Sequence, residues 1–256
     1  MEIYTKETLI AKLKEITEMG WIPNTRPGNP GGVGNTVEDL LGLEESNLPI
    51  PNAAEWELKC QRIGSSSLTT LFHTEPSPRA LKFVSKVFLP LYGWEHRTIS
   101  GEQSFRQTIH GLQRSDRGFK VIVDRTARKV LVSFDAQAIA DRHAEWRVSV
   151  ARRVGLEELN PQPYWGFDDL RYKAGTKLPN CFYVQAKVKR QKRNEFFHYK
   201  HILILEKFDF ERFLAAIEAG AVLVDFDART RHNHGTKFRL RQDRLPDLYE
   251  QAQRIM

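Results

Sequence analysis

Cysteine is almost missing from this chain: Cys60 and Cys181 are the only two in 256 residues. Two thiols cannot make a disulfide framework, and no Cys cluster is present to hold a structural zinc. Long apolar runs are missing too. The runs that do occur, such as 202–205 (ILIL) and 221–224 (AVLV), have the length of strands and fall far short of a membrane span. The N-terminal stretch mixes both charge signs and has no apolar segment, so it does not read as a secretory signal. There is no G-x-x-x-x-G-K-[ST] string, which argues against ATP use, and no G-x-S-x-G elbow. Cys60 has no evident base beside it, so covalent nucleophilic catalysis is disfavoured. The expectation is a soluble, cytoplasmic protein with no membrane partner.

What is present is a globular composition with an uneven charge. The chain is 41% hydrophobic and 11% aromatic, enough to bury a core. It carries 39 Lys+Arg against 32 Asp+Glu, a net charge of +7. Residues 1–60 hold 5 of the former and 10 of the latter, a balance of −5, which leaves 34 and 22, or +12, for the rest. A basic body attracts a polyanion at long range. The acidic head needs its own explanation.

The pattern along the chain is α+β. Leu9, Leu13 and Ile16 recur at helical spacing within 6–19, with Thr5 as N-cap and Gly20 as stop. Residues 21–35, rich in proline and glycine, read as a loop, 36–43 as a short helix, and 47–53 as a Pro-broken turn. Alternation marks strands at 54–60 and 67–73, expected to pair side by side, and a hairpin of 118–124 with 129–135. Further strands are expected at 181–188, 196–205, 221–227 and 236–241, with helices at 209–219 and 244–254. The segment 76–115 gives no clear pattern.

One short stretch carries candidate chemistry. If 52–59 is a strand, Glu55, Glu57 and Lys59 share one face, while Trp56 and Leu58 share the other. Two acids and a lysine backed by apolar residues can hold a hard cation such as Mg²⁺ beside an amine that orients or deprotonates water. An amphipathic strand with a solvated, salt-bridged face has the same spacing.

The wider context resembles the PD-(D/E)XK nuclease motif, with Asn52 where the first Asp normally stands. GNTVEDLLGLEESNLPIPNAAEWELK is similar to the MvaI/BcnI restriction endonucleases, relatives of the MutH nicking enzyme, and so are SSSLTTLFHTEPSP (65–78) and RHNHGTKFRLR (231–241). The resemblance runs over roughly 20–245 and is specific in those three blocks. It implies a central mixed β-sheet flanked by helices, a restriction-endonuclease-like core with a DNA-recognition subdomain, divided near residue 150 into a catalytic part (1–150) and a recognition part (151–256). It implies Glu38 as a supporting helix carboxylate, Glu57 as a Mg²⁺ ligand and Lys59 as the catalytic lysine. Asn52 fills the position of a metal-binding Asp without bringing its charge, and Glu55 is placed to compensate. The implied activity is that of a type II enzyme cutting double-stranded DNA at a short, C/G-rich, near-palindromic site. It would act as a monomer alongside a companion DNA methyltransferase.

Two basic runs fit that partner. Residues 187–201 hold six Lys+Arg and two His against one Glu, and 228–244 are comparably basic. Such runs suit phosphate contacts, and a solvated hairpin tip accounts for either one equally well. His232 and His234 lie two apart, a spacing that also suits zinc, but no further ligand cluster is near. The resemblance implies instead that His232, His234 and Arg239 read base edges, with Arg231 and Lys237 in the same DNA-binding block. His73 is a second candidate reader, or a hydrogen-bonded histidine at a strand end. Asn52 also leaves open a protein of the same fold that binds a DNA sequence without cutting. An RNA-binding role would need stacking aromatics on a sheet, and no such string is present.

Overall fold

The computed structural model describes residues 4–29, 31–43, 55–241 and 243–256. The chain divides into two compact units. One comprises Met1–Thr69, Lys173–Phe210 and Gln242–Met256, the other Thr70–Tyr172 and Glu211–Arg241.

Helix α1 (Lys6–Glu18) starts at Thr5, whose hydroxyl accepts from the Thr8 backbone N–H while the Thr8 hydroxyl accepts from the Thr5 N–H. This reciprocal cap satisfies donors that a helix start otherwise leaves bare. The two-residue strand β1 (Ile22–Pro23) follows, then helix α2 (Gly32–Leu40). α2 begins inside the stretch expected to be loop. Gly32 allows it, because a Cβ there would stand 2.7 Å from Asn24 Oδ1. Strand β2 (Trp56–Arg62) comes next, and Asn52 and the 47–53 turn lie outside the described residues. The walk continues through β3 (Thr69–His73), β4 (Trp94–Glu95), β5 (Gln103–His110), β6 (Arg117–Asp124), β7 (Lys129–Ile139), helix α3 (Ala144–Val154) and β8 (Tyr164–Gly166). Helix α4 (Phe167–Lys177) leads into the long hairpin β9 (Asn180–Gln191) and β10 (Asn194–Phe208). Helix α5 (Phe210–Glu218), β11 (Val222–Arg229), β12 (His232–Leu240) and β13 (Tyr249–Arg254) complete it.

The first unit is built on one mixed sheet in the order β1-β10-β9-β2, with β13 also paired to β10. β2 and β9 run parallel, which sets Glu57 opposite Cys181 and Lys59 opposite Tyr183. The other pairings are antiparallel. Leu9, Leu13 and Ile16 of α1 and Val33 and Val37 of α2 pack with Trp56, Leu58, Phe182, Val184 and Tyr199 in one core cluster. Because side chains alternate along β2, filling that core with Trp56 and Leu58 turns Glu57 and Lys59 to the opposite face.

Two expectations are corrected here. Residues 244–254 are not a helix. Leu245–Leu248 forms a single tight helical turn, and Tyr249–Arg254 is strand β13 on β10, since sheet pairing outweighs the weak helical spacing. The strand at 67–73 does not pair with β2. β3 joins β12 in another sheet, while β2 takes β9 as its partner.

The second unit has a sheet in the order β3-β12-β11-β5-β4 and another in the order β6-β7-β8. Its core is aromatic. Phe88 stacks on Phe105 at 4.7 Å, and Phe119 and Phe226 meet the pair edge-on. Phe88 sits in Val84–Tyr92, a helical segment wound wider than an α-helix, with Pro90 inside it. No described helix is long and apolar enough to cross a membrane.

Candidate active site

Glu57 is the most constrained charged residue of β2. Its side chain is only 2% exposed, and both carboxylate oxygens face ammonium groups. Lys59 Nζ donates to Oε1 at 2.6 Å, and Lys177 Nζ stands 3.0 Å from Oε2. A buried carboxylate without such partners would be strongly disfavoured. The two lysines arrive by different routes. Lys59 lies on the same strand face, two residues on. Lys177 is the last residue of α4, which Pro179 prevents from continuing before β9 begins at Asn180.

Burial works against the charge on Lys59, yet the Glu57 carboxylate more than offsets it by charge and hydrogen bond, and Glu38 adds its own charge. The Lys59 ammonium is therefore held above its usual pKa, so in this state it is a donor and not a free base. Glu38, half-buried on α2, thus acts on the same centre as Glu57 and Lys59. Glu55 lies in the turn just before β2 and is exposed. Burial pushes the thiols of Cys60 and Cys181 well up, so neither supplies a reactive thiolate.

Among the described residues no group of three His, Cys, Asp or Glu side chains is arranged to hold a metal ion. Glu57 nonetheless draws positive charge, with an ammonium on each of its oxygens. Mg²⁺ keeps several waters and commonly takes one or two carboxylates plus a substrate phosphate. A single hard carboxylate of this kind fits that ion.

His73, Arg231, His232, His234, Lys237 and Arg239 all belong to the second unit. Thr230 and Arg231 form the tight turn between β11 and β12, and Arg231, His232 and His234 are exposed there. The two imidazole rings stack at 4.9 Å. β12 begins four residues earlier than the strand expected at 236, so the histidines ride on the hairpin itself. His73 reaches the same corner, for a Cβ on Gly235 would meet its ring at 3.8 Å. Further along β12 the cations are already paired. Arg239 stands 3.2 Å from Asp225, which also accepts from the Thr108 hydroxyl, and Asp227 bridges Lys237 at 3.3 Å and Arg106 at 2.8 Å. In the first unit, the β9–β10 hairpin presents Lys187, Lys189, Arg190, Lys192 and Arg193 as exposed cations. Glu195, the acid near its tip, is neutralised by Arg62 at 3.0 Å. Arg26, in the loop before α2, donates to Asp39 at 2.9 Å.

The structure therefore brings Glu38, Glu57 and Lys59 together and gathers His73, Arg231, His232 and His234 around the β11–β12 turn. Lys177 and Asp225 were missed. No local spacing marks either one. Lys177 joins the site only through the α4–β9 connection, and Asp225 meets Arg239 only through antiparallel pairing.

A family model described as the MvaI/BcnI restriction endonuclease family matches residues 10–249. Among solved structures, the chain is similar to restriction endonuclease MvaI in complex with cognate DNA substrate. The TM-score is 0.79 and the identity 21%, over 99% of this chain and 100% of that one. It is also similar to restriction endonuclease MvaI in the absence of DNA, with a TM-score of 0.54 and 22% identity over the full length of both chains. At these identities the likeness speaks to the fold. No curated protein matches the chain.

Proposed function

The chain belongs to the MvaI/BcnI restriction endonuclease family, and from that premise we propose that it is a Mg²⁺-dependent, sequence-specific endonuclease of double-stranded DNA. The observation that carries the reading is the buried Glu57 carboxylate held between Lys59 and Lys177. It is a preformed place for positive charge beside a lysine that can direct water.

In this reading Glu57 and Asn52 would hold the cation, and Glu55 would add the charge that Asn52 lacks. Bound Mg²⁺ would polarise the scissile phosphate and ease the build-up of negative charge on it. Lys59 donates a hydrogen bond that orients the attacking water, and Glu57, with a smaller contribution from Glu38, keeps that ammonium charged. The water oxygen adds to phosphorus and the 3′-oxygen leaves with a proton, giving a 5′-phosphate and a 3′-hydroxyl. The second unit supplies recognition. Arg231 and Lys237 contact the backbone, while His73, His232, His234 and Arg239 approach base edges, arginine being suited to guanine. The MvaI structure with cognate DNA supports duplex DNA as substrate. The protein acts as a monomer at a short C/G-rich site, with a companion methyltransferase protecting the host DNA.

Glu55 gives a direct check on the metal site. Glu55→Ala is expected to raise the Mg²⁺ concentration needed for half-maximal cleavage by about tenfold, the loss of one nearby charge. Wild-type metal dependence in a titration would remove Glu55 from the site. Asn52 favours one rival, a DNA-binding protein that does not cut. Duplex affinity measured at fixed ionic strength tests the main reading. Ca²⁺ is expected to strengthen binding relative to chelator, because a divalent cation at Glu57 adds positive charge for a phosphate to meet, and Mg²⁺ is expected to give cuts. Selective binding unaffected by metal, with no cuts in Mg²⁺ or Mn²⁺, favours the rival.

A further inference from the structure

We propose that Lys177 is a resident counter-ion that reserves one Glu57 oxygen for the divalent cation, yielding it only when cation and phosphodiester arrive together. This rests on the metal-dependent reading above and adds to it a residue that sets metal affinity and ties it to DNA.

Occupancy is the first argument. Both Glu57 oxygens are taken, at 2.6 Å by Lys59 and at 3.0 Å by Lys177, so a cation that binds this carboxylate must displace one ammonium. Lys177 is the one placed to yield. Its contact is the longer, and it sits at the end of a helix on a flexible four-carbon stem. Lys59 is fixed by the strand that carries Glu57 itself. The Lys177 side chain is 17% exposed beside a carboxylate that is 2% exposed, so its ammonium can turn outward while Glu57 cannot.

Charge is the second argument. Lys59 and Lys177 already place two positive charges on the Glu57 carboxylate with no metal present. A divalent cation entering alone would stand beside both ammoniums around a carboxylate that is 2% exposed, where like charges repel strongly. A phosphodiester brings negative charge of its own and offers Lys177 a new anionic partner. Metal and DNA should therefore bind cooperatively. A merely structural ion pair would not do this, and replacing such a pair with apolar groups is often neutral for stability.

The test is calorimetric titration of the full chain with Ca²⁺, without DNA and then with an uncleaved duplex. In the DNA-free protein, Lys177→Met is expected to bind Ca²⁺ at least tenfold more tightly than wild type, with Lys177→Arg close to wild type. Added duplex should tighten Ca²⁺ binding more in wild type than in Lys177→Met. If Lys177→Met fails to give a native circular dichroism spectrum, Lys177→Gln, polar and neutral, is expected to show the same gain. Unchanged Ca²⁺ affinity in whichever neutral variant folds overturns the proposal. Wild-type cleavage in Mg²⁺ separates the two failures. If the wild type cuts DNA while the neutral variant binds Ca²⁺ no better, only the role of Lys177 is wrong. If the wild type neither cuts nor binds Ca²⁺ with duplex present, the nuclease reading has failed along with it.

Discussion

Lys59→Ala is expected to slow DNA cleavage by about 10²–10⁴-fold, the range for a side chain that handles the reacting water, while leaving duplex affinity close to wild type. The ammonium lies 2.6 Å from Glu57 and its side chain is 15% exposed, so it is aimed at the carboxylate and not at bulk solvent. The exposed cations of the β9–β10 hairpin and of the β11–β12 turn are separate from it in sequence and carry the phosphate contacts in this account. Removing Lys59 should therefore separate rate from affinity. Single-turnover cleavage and a filter-binding isotherm on the same preparation check this. A parallel loss in both would place Lys59 among the binding residues, and an unchanged rate would remove it from the mechanism.

Glu57→Ala is expected to destabilise the folded protein by about 3–5 kcal/mol, the scale for deleting one partner of a buried ionic group. The carboxylate is 2% exposed and serves two ammoniums that are 15% and 17% exposed. Without it, two like charges stay close together, each partly desolvated and without the group that held it. Lys177→Met added to Glu57→Ala should recover part of the loss, since one of the stranded charges is then gone. Urea unfolding of the single and double variants reads this directly. A single variant as stable as wild type would mean that Glu57 is not the hub of the cluster. Loss of cleavage in Glu57→Ala must accordingly be judged only under conditions where the variant is folded.

The catalytic strand and its facing could be read from residues alone, because Trp56 and Leu58 on one side force Glu57 and Lys59 to the other. Hairpins whose strands alternate, such as β6 with β7, were legible for the same reason. What failed was long-range pairing. Residues 67–73 and 54–60 are both good strands, and nothing local tells β2 to choose β9 or β3 to choose β12. The segment 76–115 was opaque because its order comes from a tertiary aromatic cluster. Phe88, on a wide helical turn interrupted by Pro90, is held by Phe105, Phe119 and Phe226 from three separate strands. The acidic head was legible as charge, and the structure gives part of it a place, with Glu38 and Glu57 acting on one lysine. Lys177 was invisible because its role comes from a helix end more than a hundred residues away in sequence.

The most direct measurement is a digest of long, unmethylated duplex DNA by wild-type protein in Mg²⁺, with the ends of every fragment sequenced. The expected result is ends that share one short C/G-rich sequence, carry 5′-phosphates, and vanish in chelator or in Lys59→Ala. Intact DNA in both Mg²⁺ and Mn²⁺, or cuts with no common sequence, would contradict the account.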